Sequence, residues 1–165
     1  MRKYELYPEA KRIYKRLKGN FDVLSLVKYL ESIGYSVVFF NTAEGDQLLQ
    51  AYGICPQDVK AFTYCGSTRI VFVDNQLHTT DKIYSLLHEI GHITLKHIGN
   101  GNIDMYNKRT TENEAEAFTY KVLNYNKTTK KQNVTLFIVC STILMLFQGG
   151  LMYHRLRKKG DIDNV

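Results

Sequence analysis

The sequence predicts an α+β domain of helices packed on a small mixed sheet, followed by a C-terminal transmembrane helix. Three observations point there. Residues 79–98 carry apolar side chains at helical spacing around His88-Glu89-Ile90-Gly91-His92, a second helix opens on the acidic cluster Thr111–Phe118, and residues 134–153 contain no charged side chain. A chain of 165 residues has length for one hydrophobic core and little more.

In the first of these helices Thr79 or Thr80 serves as N-cap, and Asp81 lies in the first turn, where negative charge is favoured. Ile83, Leu86, Leu87, Ile90 and Ile93 form a broad apolar arc, with His88 and His92 opposite it. Four residues carry a helix about 40° past one full turn, so both imidazoles can reach one ion. Glu89 is offset by about 100°, where its carboxylate can take a proton from water beside the metal without ligating it. H-E-x-x-H is the spacing of a hydrolytic zinc site. Two histidines on an ordinary amphipathic helix would show the same pattern, so the reading needs a third ligand.

A catalytic zinc site takes three protein ligands and keeps one position open. His97 follows His92 by five residues, whereas the extended metzincin pattern requires six and a glycine at the turn. It reads instead as a helix C-terminal residue, with Gly99 as the stop. The other source is the second helix, running from Thr111 to about Leu123, through Glu114. Thr111-x-x-Glu114 is also a capping-box pattern, in which the carboxylate returns to the backbone N–H at Thr111. Spacing alone leaves cap and ligand open for Glu114. Glu112 and Glu116 read as solvated first-turn acids.

The segment His88–His97, followed by Glu112-Asn113-Glu114-Ala115-Glu116-Ala117-Phe118, resembles the ImmA/IrrE family of metallopeptidases, whose members pair H-E-x-G-H with a later E-x-E-A-x-x-F. The resemblance covers roughly residues 20–124 and extends upstream to an amphipathic helix at Asp22–Ile33, a strand at Tyr35–Asn41, and a hairpin around Cys65-Gly66-Ser67 leading into Arg69–Val73. It implies a zincin-like metallopeptidase domain in which Glu114, the Glu preceding Ala, joins His88 and His92 as third zinc ligand and Glu89 is the catalytic base. Two departures concern the substrate side more than the metal. Glu116 stands where the family often has Asn, and Val122-Leu123-Asn124 stands where it often ends the helix in Leu-Met-Pro.

Charge is unevenly spread. The chain carries a net +6, yet residues 19–133 hold 11 basic and 12 acidic side chains. Arg2, Lys3, Lys11, Arg12, Lys15, Arg16 and Lys18 form one basic cluster, and Arg155, Arg157, Lys158 and Lys159 another. The first reads as a solvated helix face, and without a helix-turn-helix or other nucleic-acid motif no direct nucleic-acid partner is expected. Cys55, Cys65 and Cys140 form no even framework and no C-x-x-C pair, as expected of reduced thiols in a cytoplasmic chain. No apolar signal-peptide core follows Met1.

The expected organisation is a zinc metallopeptidase domain at 1–124, a polar linker at 125–133, a transmembrane helix at 134–153 and a basic tail at 154–165. Twenty residues of helix span about 30 Å, the thickness of a hydrocarbon core, and apolar side chains outweigh Gln148 and two glycines. A core or dimerisation helix is the rival reading of that segment. Basic residues flank both of its ends, so the domain is placed on the cytoplasmic side of the cell membrane because it carries no export signal. The expected function is zinc-dependent proteolysis of a specific protein substrate, with family resemblance implying a transcriptional repressor of a mobile element. The alternative is a membrane-anchored zinc-binding sensing or interaction module without proteolysis. His97, Tyr106 and Tyr120 are the candidate oxyanion donors.

Overall fold

The computed structural model describes residues 3–56, 58–98 and 108–125. In chain order these form α1 (Lys3–Arg16), α2 (Val23–Ser32), β1 (Ser36–Phe40), α3 (Ala43–Ala51), β2 (Ala61–Cys65), β3 (Arg69–Asp74), α4 (Thr79–Thr94) and a helix over residues 108–125, here α5. The polar linker from Asn126, the charge-free segment 134–153 and the tail 154–165 lie outside the described residues. Among the described residues no helix is long and apolar enough to cross a membrane.

The sheet is mixed, in the order β1-β3-β2. β1 runs parallel to β3, with Val37 opposite Val71, and β2 runs antiparallel to β3 through the Cys65–Arg69 turn, with Thr63 opposite Val71. As the central strand, β3 is apolar on both faces: Ile70, Val71, Phe72 and Val73 are all buried. Successive side chains of a strand alternate between faces. Ile70 and Phe72 accordingly pack with Phe40 and Leu49 on the α3 side, while Val71 and Val73 join the larger core. That core takes Ala10, Ile13 and Leu17 from α1, Leu26 and Leu30 from α2, Leu86, Leu87 and Ile90 from α4, and Phe118 and Val122 from α5. The sheet is thus covered on both faces, and α4 lies across β2 and β3.

Local chemistry explains the boundaries. Asp22 caps α2 by accepting from the Ser25 N–H at 2.8 Å, and Thr42 caps α3 by accepting from the Gly45 N–H at 3.1 Å. Gly45 lies so close to the Phe39 carbonyl that a Cβ would collide with it, so glycine is what lets α3 rest on β1. The expected basic face of α1 is solvated, with Lys11, Arg12, Lys15 and Arg16 exposed and Ile13 and Leu17 turned inward.

Three boundary expectations are corrected. The N-cap of α4 is His78, which makes no side-chain capping bond, because Thr79 and Thr80 are already helical. α4 ends at Thr94 and does not reach residue 98: Lys96 adopts a left-handed φ of 59°, its N–H bonds to the Ile93 carbonyl at 3.2 Å, and the His97 N–H reaches the His92 carbonyl at 2.9 Å. This is a Schellman stop with lysine in the place usually held by glycine. Third, α5 already includes Lys108, and Thr111 Oγ1 donates to the Lys108 carbonyl at 2.9 Å within the helix. Thr111 is therefore not an N-cap, and the capping-box reading of Glu114 falls.

Candidate metal centre

His88 and His92 lie one turn apart on α4 and point their Nε2 atoms at each other, 3.0 Å apart. The remaining acid of the cluster comes from α5. Glu112 Oε2 is 3.1 Å from His88 Nε2, and Glu112 Oε1 is 3.6 Å from His92 Nε2. Among the described residues these three form the group able to hold a metal, their donor atoms all within 4.8 Å of one another.

Close helix packing places Glu112 there. At Gly91 an added Cβ would stand 3.1 Å from Phe118 Cδ1 and 3.3 Å from the Ala115 carbonyl oxygen, so the two helices meet across the glycine of the H-E-x-G-H motif. Ala115 and Phe118 are fully buried at that crossing. Glu112 lies three residues before Ala115, nearly one turn back along the same face, which aims it at the histidines.

This differs from the sequence expectation, which put Glu114 in the third position and left Glu112 to solvent. Glu114 instead sits behind His92: its Oε2 is 2.9 Å from His97 Nε2, and His97 Nδ1 is 3.2 Å from His92 Nδ1. Two residues along a helix turn a side chain about 200°, so Glu112 and Glu114 cannot both face the same point. Deciding between them requires the position of α5 relative to α4, which the motif alone does not contain.

Glu89 is 6% exposed and holds one oxygen fixed, since Thr63 Oγ1 on β2 donates to Glu89 Oε2 at 2.6 Å. Burial pushes the Glu89 carboxyl above its usual range, against the opposing pull of the Thr63 hydrogen bond and His88, with Glu112 adding to the rise. Burial likewise lowers His92 to about 4, with His88 and His97 acting in the same sense and Glu112 against it. His92 is therefore neutral at pH 7, the form in which imidazole binds a metal.

These residues line a cleft of about 470 Å³ between β2 and α4, with Thr63 on one wall and His88, Glu89 and His92 on the other. Tyr84, which the sequence reading passed over, also lines it. Its ring stacks on His88 with centroids 6.4 Å apart, and burial first, then a hydrogen bond with Tyr120, pushes its phenol up to about 12. A signal was present: Tyr84 precedes His88 by four residues and so shares its face. Of the sequence candidates for an oxyanion donor, His97 is engaged behind His92, Tyr120 contacts Tyr84 edge-on, and Tyr106 lies outside the described residues.

The donor set suits a divalent metal. Two imidazole nitrogens and a carboxylate converge with a buried, neutral His92 among them, and zinc takes N and O ligands of this kind at about 2.0–2.2 Å. The profile of the IrrE N-terminal-like domain, Peptidase_M78, matches residues 37–133. The chain belongs to the ImmA/IrrE family. Membership in a peptidase family gives it a metallopeptidase-type function, to which the His88, His92 and Glu112 cluster corresponds in kind. No curated protein and no solved structure matches the chain. The matched region extends from β1 past α5, so the motif helices lie within it and α1 and α2 precede it.

Proposed function

We propose that this ImmA/IrrE chain is a zinc-dependent metallo-endopeptidase that cuts a specific protein, with His88, His92 and Glu112 as the metal ligands and Glu89 as general base. The observation that carries the reading is Glu89. It is a buried carboxylate in the cleft, beside the ligand cluster but outside it, with one oxygen anchored by Thr63 and the other available. A purely structural metal site has no use for such a group.

Zinc, when bound, supplies a Lewis acid that polarises a carbonyl and makes water more acidic. The chain's own groups do the rest. Thr63 keeps Glu89 Oε2 occupied, so Oε1 is the oxygen that takes a proton from water and returns it to the leaving amine. The raised proton affinity that burial gives Glu89 suits a group that must both accept and deliver a proton near neutrality, and a cation beside it pulls the other way. Tyr84 stays protonated to about 12 and lines the same cleft, which makes it the phenol donor best placed for the developing oxyanion.

The substrate reading rests on family resemblance: a repressor of a mobile element or a similar regulatory protein, cut at one site. Charge-free residues 134–153 support anchoring in the cell membrane, and the reading places the peptidase domain on the cytoplasmic side. The test compares proteomes of host cells expressing wild type or Glu89→Gln. A single regulatory protein shortened only by wild type is expected. Loss of a general base costs about 10²–10⁴ in rate, so equal cleavage by Glu89→Gln would exclude Glu89 from the chemistry.

A further inference from the structure

His92 is tied to two residues that do not face the cleft cluster. His97 Nδ1 lies 3.2 Å from His92 Nδ1, and His97 Nε2 lies 2.9 Å from Glu114 Oε2. Both outer side chains are largely buried, His97 at 6% and Glu114 at 14% exposed. The Schellman stop builds this arrangement, because the left-handed turn at Lys96 folds His97 back beneath His92.

Donor and acceptor counting then points to one placement of the protons. Glu114 Oε2 lies 2.9 Å from His97 Nε2, and a glutamate carboxylate is ionised at neutral pH. An ionised carboxylate only accepts, so His97 Nε2 carries a proton and donates to it. In the singly protonated tautomer of His97 its Nδ1 is bare and accepts the Nδ1–H of His92. His92 Nε2 is left as a lone pair pointing into the cluster with His88 and Glu112. His88 is built differently: its Nδ1 is buried and finds no hydrogen-bond partner among the described residues, and its ring is held by stacking on Tyr84.

We propose that His97 and Glu114 are positioning residues for the metal, a two-member relay that fixes His92 in the Nδ1–H tautomer and presents its Nε2 as the pre-oriented ligand. Metal-bound histidines commonly donate their second N–H to a carboxylate or carbonyl, and losing that partner lowers affinity about 10–100-fold. Here a second imidazole is inserted between the ligand and the carboxylate. The inference rests on the metallopeptidase reading for its purpose, but its hydrogen bonds can be tested without it.

The experiment uses the full chain in mild detergent, with ¹⁵N-labelled histidine and zinc as the probe. In the zinc-loaded wild type a scalar coupling across the N–H···N bond should join the Nδ1 atoms of His92 and His97, with the proton on His92. Zinc affinity measured against a competing chelator should fall about 10–100-fold in His97→Phe and Glu114→Ala. His97→Asn, which restores an acceptor for the His92 N–H, should recover much of the loss. Absence of the coupling in zinc-loaded wild type, a proton residing on His97 Nδ1, or wild-type zinc affinity in folded His97→Phe would each overturn the relay. A wild-type chain that takes up no zinc would overturn the metal reading instead, and the ring-to-ring coupling in that zinc-free chain would still decide the relay.

Discussion

Glu112 and Glu114 differ by two positions and do different work. Glu112 touches both histidines of the cluster, while Glu114 is reached only through His97. Glu112→Gln should therefore cost more zinc affinity than the 10–100-fold expected for loss of an outer partner, and Glu114→Gln, which keeps an acceptor for His97, should cost less. Chelator competition on the two variants checks this, and the reverse order would return the third ligand to Glu114. His92 adds a pH dependence. Its folded value of about 4 lies below the unfolded value near 6.5, so the unfolded chain binds more protons between them and stability falls as pH drops through that window. In the metal-free protein, wild type should lose about 3 kcal/mol relative to His92→Gln between pH 6.5 and 4. Glu89 titrates in the opposite sense, since a raised carboxyl favours the folded state at lower pH, but it is common to both proteins and cancels in the comparison. Parallel stability curves for the two proteins would show that His92 is not buried as described.

At the scale of elements, periodicity located α2, α4 and α5 but missed α3, and it placed helix ends poorly. The helix expected at Asp22–Ile33 forms as α2, and the turn at Cys65-Gly66-Ser67 does join two strands. The end of α4 was illegible because Lys96 stands where glycine is the usual signal. A non-glycine residue in the left-handed region costs about 1–2 kcal/mol, part of which glycine would give back through its freer unfolded chain. Lys96 is exposed. Lys96→Gly is accordingly expected to raise stability by a few tenths to about 1 kcal/mol, with zinc affinity unchanged. A drop in melting temperature would mean that the Schellman geometry does not persist in solution. The start of α5 was missed for a similar reason: Thr111 fits the capping box in sequence, yet its hydroxyl bonds back into a turn that already exists.

For the whole molecule, the site-bearing unit runs Met1–Tyr125 and owns every residue of the metal cluster, the relay and Glu89. Truncation after Asn133 should leave a soluble domain that keeps its zinc, whereas the full chain should stay in the membrane fraction through high-salt and carbonate washes, because apolar burial does not weaken with ionic strength as charge attraction does. Release of the full chain by salt would make residues 134–153 something other than an anchor. The sequence by itself determined what depends on neighbours along the chain: the helix carrying His88, Glu89 and His92, the hairpin, the apolar strand β3 and the family. These follow from spacings of a few residues, where backbone geometry leaves little choice. Only the tertiary structure decided which acid meets the histidines, that Thr63 holds Glu89, and that His97 and Glu114 stand behind His92. Each of those depends on how one element lies against another, and that is set by small residues at a crossing, such as Gly91 against Ala115, whose consequence appears only when the core is packed.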